Sequence, residues 1–138
     1  MDLDQIPLLA MLKGKLGYLN ERQKLIAQNV ANADTPGYAP SDLKPFTFAE
    51  AMKAPAAASG GVDAARTNAA HIPGKISTHA MWKSETVPDS EARLDGNQVV
   101  LEDQMIKMGE ARQDYDAAIT LYQQSLGLLR LAARRPGG

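Results

Sequence analysis

Asn29-Val30-Ala31-Asn32-Ala33-Asp34-Thr35-Pro36-Gly37-Tyr38 is the stretch on which the fold turns. It stands where a long amphipathic pattern has to stop. Asn32 and Asp34 are short polar side chains that bond to nearby backbone and favour caps and turns over helix interiors. Pro36 cannot donate the helical hydrogen bond and drives Thr35 out of the α region. Gly37 accepts a positive φ, so Pro36-Gly37 suits the centre of a type II turn. Tyr38 supplies a ring with a polar tip, suited to pinning that turn on a neighbouring helix.

Upstream, residues 6–31 read as one helix. Leu9, Leu12, Leu16, Leu19, Ile26 and Val30 recur at alternating steps of three and four, with Gln23 the one polar member, which makes a heptad seam. Leu8, Met11, Tyr18 and Leu25 form a second row, so the stripe is wider than one partner helix needs. Pro7 fits the first turn, where a missing N–H costs nothing. Gly14 and Gly17 either let another element come close or loosen the helix.

Downstream, Asp95-Gly96-Asn97 signals a turn. A second helix is expected from Asn97 as N-cap, or a few residues later if Val99 and Val100 stay extended. Its seam reads Leu101, Met105, Met108, Tyr115, Ile119, Tyr122, Leu126, Leu129 and Ala133, broken by Arg112. Glu102 and Asp103 at its start and Arg130, Arg134 and Arg135 at its end oppose the helix dipole favourably. At 1.5 Å per residue it should run to about 55 Å against about 37 Å for the first, so the two cannot match end to end. Gln23 and Arg112 either fix register or reach out to solvent.

The sequence therefore predicts an all-α unit. Two long amphipathic helices, one within residues 1–33 and one within 97–138, pack as a coiled-coil-like hairpin around a loose, partly irregular insert, 34–96. Within that insert Thr47 and Glu50 have capping-box spacing, which suggests a short helix over 48–53. Phe46 and Phe48 are expected to pin the loop to the long helices. Residues 54–93 are rich in alanine and glycine and poor in material for a core. Trp82, the single tryptophan, is an anchor either to the chain's own helices or to a neighbour.

With 138 residues, a net charge of −1 and no cysteine, the chain is one domain's worth. It carries no nucleic-acid footprint, and disulfides and thiolate metal sites are excluded. No apolar run approaches the roughly 20 residues that span a bilayer. Asp2 and Asp4 stand where a conventional secretory signal has its basic region. Catalytic constellations are not found. His71 and His79 read as solvated loop histidines, and Asp114 and Asp116 point in different directions on a helix. Ser59-Gly60-Gly61 is too short a glycine step to cradle phosphate. No cofactor, metal or small-molecule substrate is expected.

The string NVANADTPGY after a leucine-rich helix resembles the N-terminal signature of the bacterial flagellar basal-body rod family. Ser41-Asp42-Leu43 and GNQVVLEDQMIKM, residues 96–108, resemble its proximal-rod members. The resemblance implies a structural subunit of the basal-body rod, exported through the flagellar type III channel without a cleaved signal peptide. It would reside in the periplasmic space, bound to copies of itself, other proximal rod proteins, the rod-to-ring adaptor subunit and export-gate proteins. It also implies that Asn29, Asn32, Thr35, Pro36, Gly37 and Tyr38 set the turn leaving the packed helices. The two seams would then serve subunit packing. The alternatives are a sibling proximal-rod subunit, a soluble helical adaptor folding alone as a hairpin, and a small hydrolase acting on the cell wall. The last lacks the carboxylate or histidine constellation it would need.

Overall fold

A computed structural model describes residues 6–49 and 82–133. Two helices dominate it: α1, Pro7–Ala31, and α2, Leu101–Ala133. Between them lies a two-stranded antiparallel ribbon, β1 (Ser41–Leu43) paired with β2 (Ser84–Thr86), with Asp42 opposite Glu85. The helices pack on each other in opposite directions, since Asn29 meets Gln104 and Lys15 meets Asp114.

α1 opens on Pro7 in its first turn without a side-chain cap and ends at Asn32 (φ −101°), where the side chain bonds back to the Gln28 carbonyl at 2.8 Å. Its seam faces inward: Leu9, Leu12, Leu19 and Ile26 are buried and Leu16 half-buried, while Val30 is exposed. Tyr18, Leu19, Ile26, Leu43 and Ala111 form the core cluster, with Met108, Tyr115, Phe46 and Trp82 packed around it.

α2 presents a different face from the one its large residues suggest. Gln104, Ala111 and Ala118 are its buried positions. Met108, Tyr115, Tyr122 and Leu129 lie at the margin, half-buried. The alternate seam positions are thus one residue earlier than hydrophobicity indicates, while Met108, Tyr115 and Tyr122 are kept, which turns the packed face by about 50° about the helix axis. Arg112 accordingly points to solvent, beside the buried Ala111 rather than in its place. The rotation has a packing reason, because alanines at 111 and 118 let the backbones approach, whereas leucine-sized groups would hold them apart. It leaves Met105 71%, Ile106 62%, Leu121 52%, Leu128 67% and Leu131 63% exposed.

The insert is tied down where it is described. The ribbon closes its base, with Lys44 N donating to Lys83 O at 3.1 Å, and Arg22 of α1 holds Asp42 through two hydrogen bonds of 3.0 and 3.1 Å. Phe46 packs between Tyr18 and Trp82, at ring separations of 5.6 Å to each, and fits over Gly14, where a methyl group would already touch the ring. Trp82 packs edge-on against Tyr18, so its anchorage is to the chain's own helix. Phe48 is the more exposed of the two phenylalanines and packs edge-on against Phe46. Burial pushes the Tyr18 phenol up from its ordinary value. Most of the short helix expected over 48–53 lies outside the described residues, as do His71 and His79.

Candidate functional site

The exit turn of α1 and the approach to α2 are one interlocked structure. Tyr38 N donates to Thr35 O at 3.3 Å across Pro36-Gly37, and Gly37 has φ +72°, as a type II turn requires. Gly37 N donates to Asp95 O and Gln98 N donates to Tyr38 O, so the second turn is laced onto the first. Gly96 has φ +83°, and a Cβ there would stand 3.4 Å from Gly37 Cα. A side chain at 96 would thus press on the Gly37 backbone, whereas one at 37 would meet open space and be opposed by its φ alone.

Asn97 is the pin between them. It is fully buried. Its amide donates to Asn32 O at 2.9 Å and Thr35 O at 2.7 Å, and its Oδ1 accepts from Val99 N at 2.9 Å. It is therefore not the helix cap: Val99 and Val100 stay non-helical, and α2 begins at Leu101. Thr35 Oγ1 donates to Asn32 Oδ1 at 3.2 Å, while the exposed Arg93 reaches Ala33 O and Asp34.

Beneath the turn runs a buried polar chain. Asn29 has all four of its bonding directions filled. Its amide donates to Ser41 O (2.8 Å) and Gln104 Oε1 (3.0 Å), and its oxygen accepts from Tyr38 OH (3.1 Å) and Ser41 N (3.0 Å). Gln104 passes the chain on, donating to Asp89 Oδ2 at 2.8 Å. Asp89, whose side chain is 0% exposed, also accepts from Val100 N and from Lys107 Nζ at 2.7 Å. Burial by itself would raise the Asp89 carboxyl, but Lys107, Gln104 and the Val100 N–H outweigh it and hold the group below the ordinary carboxylate range. Asp89 thereby satisfies the N–H of Val100, the residue immediately before α2, and two side chains of the helix. Among the described residues no buried side-chain polar atom lacks a partner.

The turn residues singled out in the sequence are thus brought together: Asn29, Asn32, Thr35, Gly37 and Tyr38 all make specific bonds here, and Pro36 occupies the turn centre. The seam residues divide. Leu9, Leu12, Leu19 and Ile26 are consumed inside the chain; Val30, Leu101 and Met105 face outward. Leu16, Met108, Tyr115, Ile119, Tyr122, Leu126 and Leu129 are intermediate. Asp89 and Gln104 carried no sequence signal that marks them, since a polar residue at a helix start reads as solvated. Asn97, next to a Gly turn, was visible only as a cap.

Among the described residues there is no group of three or more His, Asp or Glu placed to hold a metal, and no helix long and apolar enough to cross a membrane. Two packed long helices, locked at one end by turns and bearing an apolar outer face, define a helical structural subunit. Residues 19–38, which make up the second half of α1 and the exit turn, match the family model for the flagella basal body rod protein. The chain is 32% identical over 111 residues to the flagellar basal body rod protein FlgB of Salmonella typhimurium, covering 77% of this chain and 78% of that one. It is 29% identical over 135 residues to the FlgB of Agrobacterium fabrum, covering 96% of this chain and 97% of the relative. A further relative, FlgB of Yersinia enterocolitica, is 29% identical over 103 residues, 73% of this chain and 74% of its own. The chain belongs to the flagellar basal body rod protein family, a family of structural components rather than enzymes.

Proposed function

We propose that the chain is a structural subunit of the proximal rod of the bacterial flagellum, built into the basal body by packing of its two long helices against neighbouring axial subunits. The observation that carries this reading is the outer face of α2. Its inner face is made of Gln104, Ala111 and Ala118, while Met105, Ile106, Leu121, Leu128 and Leu131 are left on the surface. Exposed apolar stripes of this extent mark interfaces, and contacts that do not close on themselves build helical assemblies. Val30 on α1 and Leu101 on α2, outward members of the seams, are exposed as well. Within one chain the two helices form a coiled-coil-like hairpin, and copies of itself and the other proximal rod proteins cover the rest. The rod-to-ring adaptor subunit and export-gate proteins would adjoin it at the rod's base. The subunit would reach the periplasmic rod through the flagellar type III channel, uncleaved. Absence of cysteine and a composition only 5% aromatic suit passage in an unfolded state.

The test is in cells lacking the native copy. Met105→Asp with Leu121→Asp alters two exposed side chains, so the chain folds and accumulates, but flagella are not assembled and swimming is lost. Normal swimming by that double variant would refute the reading of this face.

A further inference from the structure

Asp95-Gly96 is the only aspartate–glycine step in the chain, and no asparagine is followed by glycine. Such a step carries a chemistry of its own. With no Cβ on the glycine, its backbone nitrogen reaches the aspartate carboxyl carbon with little hindrance. The nitrogen bonds to Cγ, its proton and the carboxyl hydroxyl leave together as water, and a five-membered succinimide forms. Water then opens the ring at either carbonyl. One opening restores aspartate. The other leaves the main chain running through the side-chain carbons as isoaspartate, one methylene longer. Water is the only other reactant. Asp95 is exposed, so water reaches it. Yet the groups that the reaction must move are engaged. Gly96 N donates to Arg93 O at 2.9 Å, Asp95 O accepts from Gly37 N at 3.1 Å, and Asp95 Oδ1 accepts from Asn97 N at 3.0 Å. The buried Asn97 amide holds this turn against the exit turn of α1 through Asn32 O and Thr35 O.

We propose that Asp95-Gly96 is a latent isomerisation site which the interlocked turns hold shut. Cyclisation needs the carboxyl carbon to swing onto Gly96 N. That swing breaks the bond to Asn97 N and turns the 95–96 peptide away from Arg93 O. The turns therefore set how long the chain keeps its covalent form. Locked, Asp95 persists; unlocked, it converts. The conversion is not neutral for the fold. An added methylene at 95 displaces the carbonyl that accepts from Gly37 N, so a chain that isomerised while open cannot close the same turns again. None of this depends on what the chain packs against in a rod.

The full-length chain is incubated with and without urea, then digested, and the peptide holding residue 95 is scored for isoaspartate by electron-transfer fragmentation. The native chain converts at least about tenfold more slowly than the urea-unfolded chain, because conversion waits for local opening. Equal rates in the two states overturn the proposal. Gly37→Ala strains the facing turn without touching residues 93–97, so it raises the native rate severalfold and leaves the rate in urea alone. A native rate that it does not move removes the role given to the interlock. Asp95→Asn needs no second substitution to be informative. It keeps an acceptor for Asn97 N and converts by loss of ammonia, so the same native-to-urea ratio is read as a gain in mass, and a ratio near one again overturns the proposal. Isomerised chain, separated by chromatography, unfolds at lower urea than fresh chain. An unchanged midpoint would show that the longer backbone still closes the turns.

Discussion

Asn97→Ala should be among the most damaging single changes available outside the apolar core. The side chain is fully buried and makes three hydrogen bonds, to Asn32 O, Thr35 O and Val99 N. Each bond contributes about 1 kcal/mol net, and each buried group left without a partner costs about 1–3 kcal/mol. Water entering the gap would satisfy part of the loss, so the expected destabilisation is about 3 kcal/mol. Against a total of about 5–15 kcal/mol for a domain, that is a large fraction. Urea titration followed by helical circular dichroism reads it directly. For a slope of about 1.5 kcal/mol per molar, the midpoint falls by about 2 M without a change in slope. Asn97→Asp is the discriminating companion. It keeps the acceptor for Val99 N but turns a carboxylate oxygen on two carbonyl oxygens, so at pH 7 it should do no better than alanine. A loss below about 0.5 kcal/mol in Asn97→Ala, or an aspartate that is milder than alanine, would refute the view that this amide joins the two turns. Asn20→Ala, at an exposed position on α1, is the control and should be close to neutral.

Further outcomes are expected at five other positions. The Asp89 carboxyl is held below its ordinary value near 3.8, so it stabilises the fold above that pH, and the contribution is lost as pH falls through the depressed folded value; Asp89→Asn should flatten the acid limb of a stability-against-pH curve. Gly37 has φ +72° with open space around it, so Gly37→Ala should cost about 1–2 kcal/mol for the backbone alone. Gly96→Val should cost more in the same urea assay, because its Cβ already stands 3.4 Å from Gly37 Cα. Ala111→Leu should destabilise the isolated chain by about 1–3 kcal/mol through overpacking, whereas Met105→Ala, at a position 71% exposed, should leave its melting unchanged.

The helices and the turn between them were legible because their signals are local. Leucine periodicity drew α1 from its proline start to Ala31, and Pro36-Gly37 marked the exit. The face of α2 was not. Leu101, Met105, Ile119 and Leu126 outrank Gln104, Ala111 and Ala118 on any hydrophobicity scale, yet the latter three are turned inward. Periodicity reports which residues avoid water, not whether their cover is the same chain or another. Three-residue strands such as Ser41–Leu43 and Ser84–Thr86 are too short to show alternation. The Asn29–Gln104–Asp89 chain joins residues far apart in sequence, and each of its members alone reads as an ordinary surface polar group.

Lys44 and Lys83 are joined by a backbone hydrogen bond, and the ribbon beneath them is tied to α1 by Arg22 and Asp42. Whatever leaves the helical pair at one lysine comes back at the other, so topologically it is a side branch with a sealed neck. Doubling the length of such a branch adds only about 0.6 kcal/mol of closure entropy. Length changes inside the branch therefore cost little closure entropy at the neck, as long as Phe46 and Trp82, which lie within it, keep their packing on Tyr18.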